Sequence, residues 1–107
     1  MVYVLLGTGF EEIEAVTPID LLRRAGVAVT TVGLNGKIVK GSHKVGFEAD
    51  VEISDLDVSD ADMIVLPGGL GGVASISACP AALHAVEQVW KQGGFVAAIC
   101  AAPTVLA

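Results

Sequence analysis

Phe95-Val-Ala-Ala-Ile-Cys-Ala-Ala-Pro-Thr-Val-Leu-Ala107 is the stretch with the strongest structural signal in the chain. An apolar run typical of a buried strand stops at Cys100, and small residues follow, with Pro103 where the first turn of a helix tolerates proline. This order is typical of a nucleophile elbow, whose strained backbone requires small flanking residues. The stretch therefore predicts that Cys100 lies between the end of a strand and the start of a helix.

Cys100 has two interpretations at this point. At an elbow, the thiol would feel the positive end of the helix dipole and the unpaired amides of the first turn, which favour thiolate over thiol. A free cysteine in an apolar run is otherwise a buried core residue, which is its commoner role. The stretch by itself does not choose between the two.

Upstream of the elbow, strand-like and helix-like segments alternate. Continuous apolar runs indicate strands at Val2–Leu6, Val27–Gly33 and Met63–Leu66. Helical spacing indicates helices at Glu11–Ala25, which Pro18 should kink and Gly26 should cap, at Val73–Ser77 and at Pro80–Gln92. The residues expected to face the core from the two longer helices are Ile13, Val16, Ile19, Leu21, Leu22, Leu83, Val86, Val89 and Trp90. The alternation predicts one α/β domain, residues 1–107, with a doubly wound parallel sheet.

The segment between the second and third of these strands has a different pattern. Asn35-Gly36 is a strong hairpin turn signal, and short β-compatible pieces around Ile38-Val39 and Val45–Ile53 flank Gly41-Ser42. We predict a small β-hairpin at the edge of the sheet. Its basic residues are expected to form a solvated face that protects the edge; they are Lys37, Lys40, His43 and Lys44.

Composition limits the class of protein. The 107 residues are 53% apolar, and six basic against twelve acidic residues give a net charge of −6. Without a basic run, nucleic acid is a poor candidate partner. No apolar run is long enough to span a bilayer, and no export signal is expected. Two cysteines far apart in sequence do not make a disulfide framework, so we expect a reducing cytoplasm.

Three loops follow strands and should meet at one edge of the sheet, where chemistry gathers in such folds. The first contains Glu11, Glu12 and Glu14. Two of these carboxylates would only complement a helix N-terminus, and the third would turn inward, stay protonated beside a thiolate and hydrogen-bond to its sulfur. Spacing does not choose among the three.

The second loop contains Gly68 and Gly69, and the third contains the elbow. The two glycines would let backbone amides approach a substrate and, with the amide of Ala101, form an oxyanion hole. The alternative interpretation of the glycine pair is a tight turn with no role beyond structure.

Four segments carry motifs that point to a known family: Phe10-Glu-Glu-Ile-Glu-Ala15, Pro18-Ile-Asp-Leu-Leu-Arg-Arg-Ala-Gly26, Val65-Leu-Pro-Gly-Gly69 and Ala97-Ala-Ile-Cys-Ala-Ala-Pro103. Together they resemble the ThiJ/PfpI superfamily, in the branch of YajL and the parkinsonism-associated protein deglycase. The resemblance spans the whole chain, with the motifs in family order.

The resemblance implies a flavodoxin-like fold, a homodimer and a reactive elbow cysteine, with no cofactor or metal. By position, Cys100 matches the family nucleophile and Glu14 the acidic residue that contacts its sulfur. Gly69 and Ala101 match the amides that face the substrate oxygen. The implied substrates are small α-oxoaldehydes or glycated amines.

Length is the one departure from the family pattern. Family members continue well beyond the elbow, with further strands and a histidine that pairs with the cysteine. We therefore expect a fragment, a nicked protein or a chain completed by association with one that carries the C-terminal part. His43 and His84 are poor substitutes for the family histidine, and Cys79, just before Pro80, is expected to be structural.

Three hypotheses for function follow. The first is a glyoxalase or deglycase in which Cys100 attacks a carbonyl and Glu14 moves protons. The second is a sensor of oxidative stress or a redox-regulated chaperone that uses oxidation of Cys100. The third is a non-catalytic fragment that self-associates through exposed apolar surface.

Overall fold

A computed structural model describes residues 1–107 and contains seven strands and three α-helices. In chain order they are β1 (Val2–Leu6), α1 (Glu12–Arg24), β2 (Val29–Gly33), β3 (Ile38–Lys40), β4 (Gly46–Glu48), β5 (Val51–Glu52), β6 (Met63–Leu66), α2 (Leu70–Ser77), α3 (Pro80–Lys91) and β7 (Phe95–Ala98). Short 3₁₀ helices cover Ile53–Asp55 and Ala102–Leu106. No helix is both long and apolar enough to cross a membrane.

Five strands form one parallel sheet in the order β5-β2-β1-β6-β7, and β3 and β4 form a separate antiparallel hairpin. All five residues of β1 are buried, as expected for a central strand covered on both faces. The chain moves outward from β1 first to one side and then to the other. The resulting α/β, doubly wound, flavodoxin-like sheet with a small edge hairpin confirms the predicted fold class.

The two faces of the sheet have separate cores because side chains alternate along each strand. On one face, Val4 and Leu6 pack with Ala15 and Ile19 of α1. On the other, Leu5 and its neighbours pack with α2 and α3. The sheet is therefore a middle layer whose strand ends remain open for loops.

Helix α1 matches its predicted bounds closely and ends as predicted at Gly26, which has a φ of +80°. The amides of Gly26 and Val27 donate to the carbonyls of Arg23 and Leu22, the bond pattern of a Schellman motif. The prediction placed too many residues of α1 on the helix face that packs against the sheet. Only Ala15 and Ile19 are buried, because they lie four residues apart on one narrow stripe.

The predicted burial is therefore wrong for three apolar residues of α1, since Ile13, Val16 and Leu21 are exposed. Leu22 is half-buried. Trp90 is another correction, since it is 70% exposed rather than part of the core. The stripe of α3 that faces the sheet runs through Ala82, Ala85, Val86 and Val89.

Helix α2 begins at Leu70, three residues before the predicted start at Val73. Gly71 and Gly72 are inside the helix because their lack of a side chain allows close contact with the backbone of Gly9 and Phe10. The two glycines thus support packing of the helix against the loop after β1.

The hairpin turn was misplaced in the prediction. Residues 41–45 connect β3 to β4, whereas Asn35 and Gly36 lie between β2 and β3. The side-chain oxygen of Asn35 accepts the amide of Thr8, so this dipeptide ties the connection to the loop after β1. The β-compatible piece at residues 45–53 splits into β4 and β5, and β5 joins the main sheet.

Strand β7 is not the buried strand that its apolar sequence suggested. It has β6 as its one neighbour, and Phe95 is 71% exposed. An edge strand has only one partner, so apolar composition alone does not bury it.

Candidate functional site

The loops after β1, β6 and β7 meet at the carboxyl edge of the sheet, as the alternating pattern predicted. Together with the turn between β3 and β4, they line an open cavity of about 480 Å³. Glu14, Gly69, Cys100 and Ala101 all line it. The fourth wall, which contains His43, was not predicted.

Cys100 has a positive φ of +58°. Lys44 is the one other non-glycine residue with a positive φ. Such a φ is strained for a residue with a side chain and is typical of an elbow. Cys100 is exposed in this structure, unlike a core cysteine. A 3₁₀ helix over residues 102–106 follows instead of the expected α-helix.

Glu14 is the one glutamate of the three that turns towards the elbow. Its Oε1 accepts the amide of Gly68 at 3.0 Å, and the side chain is half-buried. A Cβ added at Gly68 would collide with both Oε1 of Glu14 and Cβ of Cys100. The carboxyl group and the cysteine therefore both border one small space above Gly68, where a Cβ of that residue would lie. Glycine leaves this space open, and any other residue would fill it.

The amides of Gly69 and Ala101 have no acceptor within the chain, so both can donate to another molecule. Gly69 has a φ of +91°, a conformation that favours glycine. The amide of Gly68 was expected to face a substrate, but it donates to the Glu14 carboxyl group instead. The carbonyl of Gly68 accepts the amide of Glu11 at 3.0 Å, which fixes the β6 loop to the start of α1.

Glu11 and Glu12 do more than complement the helix dipole. The carboxylate of Glu12 contacts Ser42, His43 and Val45 in the turn between β3 and β4. His43 is exposed, as expected for a solvated face, yet it also lines the cavity. Sequence reasoning missed this contact because about thirty residues separate its two sides and no spacing rule connects them.

Glu12 and His43 each shift the pKa of the other. Burial raises the pKa of Glu12, but hydrogen bonds from His43, from its own amide and from the Val45 amide outweigh it and lower that pKa to about 2. The side-chain hydrogen bond to Glu12, with the charge of Glu11, raises the pKa of His43. The pair is therefore ionic at slightly acid pH.

Glu11, Glu12 and His43 have ligand-type atoms within 4.8 Å of one another. Nδ1 of His43 already hydrogen-bonds to Glu12, and the Ser42 hydroxyl lies within hydrogen-bond distance of both carboxylates, so we assign no metal to the cluster. His84 lies on α3 and does not line the Cys100 cavity. Cys79 is half-buried and packs against the core under α2 and α3, in agreement with a structural role.

Comparison with known proteins identifies one family. The model of the DJ-1/PfpI family matches residues 1–107. Protein dj-1beta of Drosophila melanogaster is 43% identical over 105 residues, which cover 97% of this chain and 56% of that protein. The glutathione-independent glyoxalase DJR-1.2 of Caenorhabditis elegans is 35% identical over 96 residues, covering 90% of this chain and 51% of that protein.

Solved structures agree with the sequence comparison. The structure described as Toxoplasma gondii DJ-1, oxidized, superposes with a TM-score of 0.92 at 38% identity, covering 97% of this chain and 57% of that one. The chain thus spans about half the length of the relatives that it matches.

Proposed function

The chain belongs to the DJ-1/PfpI family, and from this premise we propose that Cys100 is a nucleophile for α-oxoaldehydes or their adducts on amino groups. Glu14 is its proton-transfer partner, and the amides of Gly69 and Ala101 receive the substrate oxygen. A relative named as a glyoxalase supports this substrate class. The proposed reaction needs no cofactor and no metal.

With methylglyoxal as the substrate, the Cys100 thiolate adds to the aldehyde carbon and forms a C–S bond. The resulting alkoxide takes a proton from the Glu14 carboxyl group, which gives a hemithioacetal. The Glu14 carboxylate then removes the hydrogen of that carbon as a proton and returns a proton to the neighbouring carbon, while the hydroxyl proton moves to the neighbouring oxygen. The product is an α-hydroxy thioester.

Water then cleaves the C–S bond of the thioester. This step gives lactate, regenerates the thiolate and returns a proton to Glu14. One carbon is oxidised and its neighbour reduced, so no external oxidant is required. The net reaction is methylglyoxal plus water to lactate and a proton.

The observation that carries the proposal is the shared space above Gly68, where Glu14 and Cys100 approach each other. Proton transfer needs donor and acceptor within hydrogen-bond reach of the reacting group. The free amides of Gly69 and Ala101 line the same cavity and support the assignment of an oxyanion hole, since fixed donors aimed at developing charge stabilise it.

We further propose that the working form is a homodimer, or an association with polypeptide that supplies the rest of the family fold. Exposed apolar side chains on α3 and β7, such as Trp90 and Phe95, favour such a contact. Both cysteines are free, which is compatible with the reducing cytoplasm as the place of action.

The test is lactate formation from methylglyoxal by the wild-type chain, Cys100→Ser, Glu14→Gln and the control Cys79→Ser. We expect loss of activity in Cys100→Ser, a fall of about 10²- to 10⁴-fold in Glu14→Gln, and wild-type activity in Cys79→Ser. Equal activity in Cys100→Ser and the wild type would refute the proposal.

A second candidate function is redox sensing, favoured by the exposed thiol and by a relative whose structure is described as oxidized. Peroxide would transfer oxygen to the Cys100 sulfur to give first sulfenic and then sulfinic acid, with water as the reduced product. Mild peroxide should add one or two oxygen atoms to the Cys100 peptide and none to the Cys79 peptide. Equal oxidation of the two peptides would eliminate this candidate.

A further inference from the structure

The turn between β3 and β4, residues 41–45, wraps around a single carboxylate on α1. Oε2 of Glu12 accepts the amides of His43 at 2.8 Å and Val45 at 3.4 Å. Oε1 accepts Nδ1 of His43 at 2.9 Å and the hydroxyl of Ser42 at 3.1 Å. Only 13% of the Glu12 side chain is exposed, so the turn covers it almost completely.

The backbone of the turn is shaped to receive this carboxylate. A Cβ at Gly41 would collide with the carboxyl group of Glu12, so a side chain there would displace that carboxylate from the turn. Two backbone bonds of 2.8 Å attach the same segment to the loop after β1: the Ser42 amide donates to Phe10, and the Gly9 amide donates to Lys40. The turn is thus attached to the wall of the Cys100 cavity at several points.

His43 is the one member of this contact set whose charge changes near neutral pH. From α1 it faces Glu12 and also Glu11, whose carboxylate lies 3.6 Å from Nδ1. Its hairpin also carries Lys40 and Lys44, and the cavity beyond it contains Glu14 and Cys100. The amides of His43 and Val45 donate to a carboxylate that stays charged whether or not His43 does, whereas the Ser42 hydroxyl also lies 3.1 Å from Nδ1 of His43.

We propose that residues 41–45 form a pH-sensitive strap, which the Glu12–His43 ion pair holds on α1 and which fixes one wall of the Cys100 cavity. The effect of the strap on the Cys100 cavity rests on the proposed function. The strap itself does not. His43 is a positioning residue in this proposal, because it acts through the turn and not on the substrate.

The sign of the pH effect follows from the two partners. The Glu12 hydrogen bond raises the pKa of His43, so the contribution of the ion pair is complete below the ordinary histidine value of about 6.5 and is lost as pH rises through the raised value. The pKa of Glu12, held at about 2, keeps its carboxylate charged throughout this range. Above the pKa of His43, the ion pair becomes a weaker hydrogen bond between a neutral imidazole and the charged Glu12 carboxylate, and the strap loosens without detaching.

The test is hydrogen exchange of single amides at pH 5.5 and pH 8.5, expressed as protection relative to the intrinsic rate at each pH. Protection of the His43 and Val45 amides should fall about fivefold at the higher pH, because the turn that carries them opens more often once the contribution of the ion pair is lost. The amide of Ala49, which donates to Lys37 at the far end of the hairpin, is the internal reference and should not change.

Three variants complete the test. In His43→Gln and Glu12→Gln, protection of these amides should already be low at pH 5.5 and should not depend on pH. Lys40→Gln, which removes a charge from the same hairpin, should behave as the wild type. The ring protons of His43 should report a pKa that falls towards the ordinary value in Glu12→Gln, where the charge of Glu11 remains, a change that misfolding of the hairpin would not mimic if Ala49 stays protected.

The proposal would be overturned if the strap amides of the wild type had equal protection at both pH values. It would also be overturned if raising the pH lowered their protection in His43→Gln as much as in the wild type. Iodoacetamide labelling of the same samples separates it from the proposed function. If the strap responds but Cys100 never reacts faster than Cys79, the proposed function is wrong and the strap is supported. If Cys100 reacts quickly and the strap amides do not respond to pH, the strap is wrong and the proposed function stands.

Discussion

The two edges of the five-stranded sheet are built in opposite ways. At the β5 edge, Asp50 accepts the amide and hydroxyl of Thr31 and pairs with Arg23 at 2.8 Å, so polar bonds fasten a strand of only two residues. At the other edge, β7 pairs along its whole length with β6, but Phe95, and Trp90 on α3, are about 70% exposed. Cys100 lies just beyond the end of this second, apolar edge strand.

The difference shows which half of the site is supported within this chain. Glu14, Gly68 and the turn at residues 41–45 are fixed by hydrogen bonds to two or more elements. Cys100 follows an edge strand and precedes a single 3₁₀ helix. The first half should therefore be rigid in isolation, whereas the elbow should gain rigidity from contacts on the β7 side.

The largest expected effect contrasts the inner and outer strands. Leu66→Ala in β6 removes a side chain with no exposure and should lower the free energy of unfolding by about 2–5 kcal/mol. Phe95→Ala in β7 should cost less than about 1 kcal/mol, because 71% of that side chain is already in water. Urea unfolding of both variants is the measurement. Equal losses would mean that β7 is covered in solution, and the contrast between the edges would be wrong.

The next effect concerns the space above Gly68. Gly68→Ala places a methyl group against Glu14 and Cys100 and should cost about 1–3 kcal/mol of stability, with slower alkylation of Cys100. Gly46→Ala is the matched control, since its Cβ would meet nothing within 4 Å, and should change stability by no more than about 0.5 kcal/mol. A Gly68→Ala variant with wild-type stability and labelling rate would show that the two loops are not in contact.

The smallest expected effect tests the polar edge. Burial raises the pKa of Asp50, but bonds from Thr31 and the nearby Arg23 outweigh it, so that pKa lies below its ordinary value. The resulting stability is present above an ordinary Asp pKa of about 3.9 and is lost as pH falls through the lowered value. Asp50→Asn should cost about 1 kcal/mol at pH 7, a modest figure because nearly half of the side chain is exposed.

Urea unfolding at pH 7 and at pH 3 measures this difference, which should shrink at the lower pH. Asp20→Asn, whose partner Arg24 lies one helical turn away on an exposed surface, is the control and should cost about 0.5 kcal/mol or less. An Asp50→Asn penalty that is the same at both pH values would remove the ionic part of the explanation.

Local signals predicted most of the elements of the fold. Strand β6 was placed to the residue, and α3 was placed to within one residue, because a continuous apolar run and a proline at a first helical turn are local patterns. The errors fell where burial depends on a distant neighbour, as at Trp90 and Phe95. Residue spacing also left Glu11, Glu12 and Glu14 undivided, and only family resemblance selected Glu14.

The strand pattern was enough to predict that three loops would meet beside Cys100, because parallel strands direct all their carboxyl ends to one edge of the sheet. The end of α1 at Gly26 was also predictable, because it depends on local backbone conformation. The contact of Glu14 with Gly68, the bond between Glu12 and His43 and the open edge at β7 became visible only in the folded chain. These contacts join residues about thirty to fifty-four positions apart, and packing between whole elements, not local preference, brings them together.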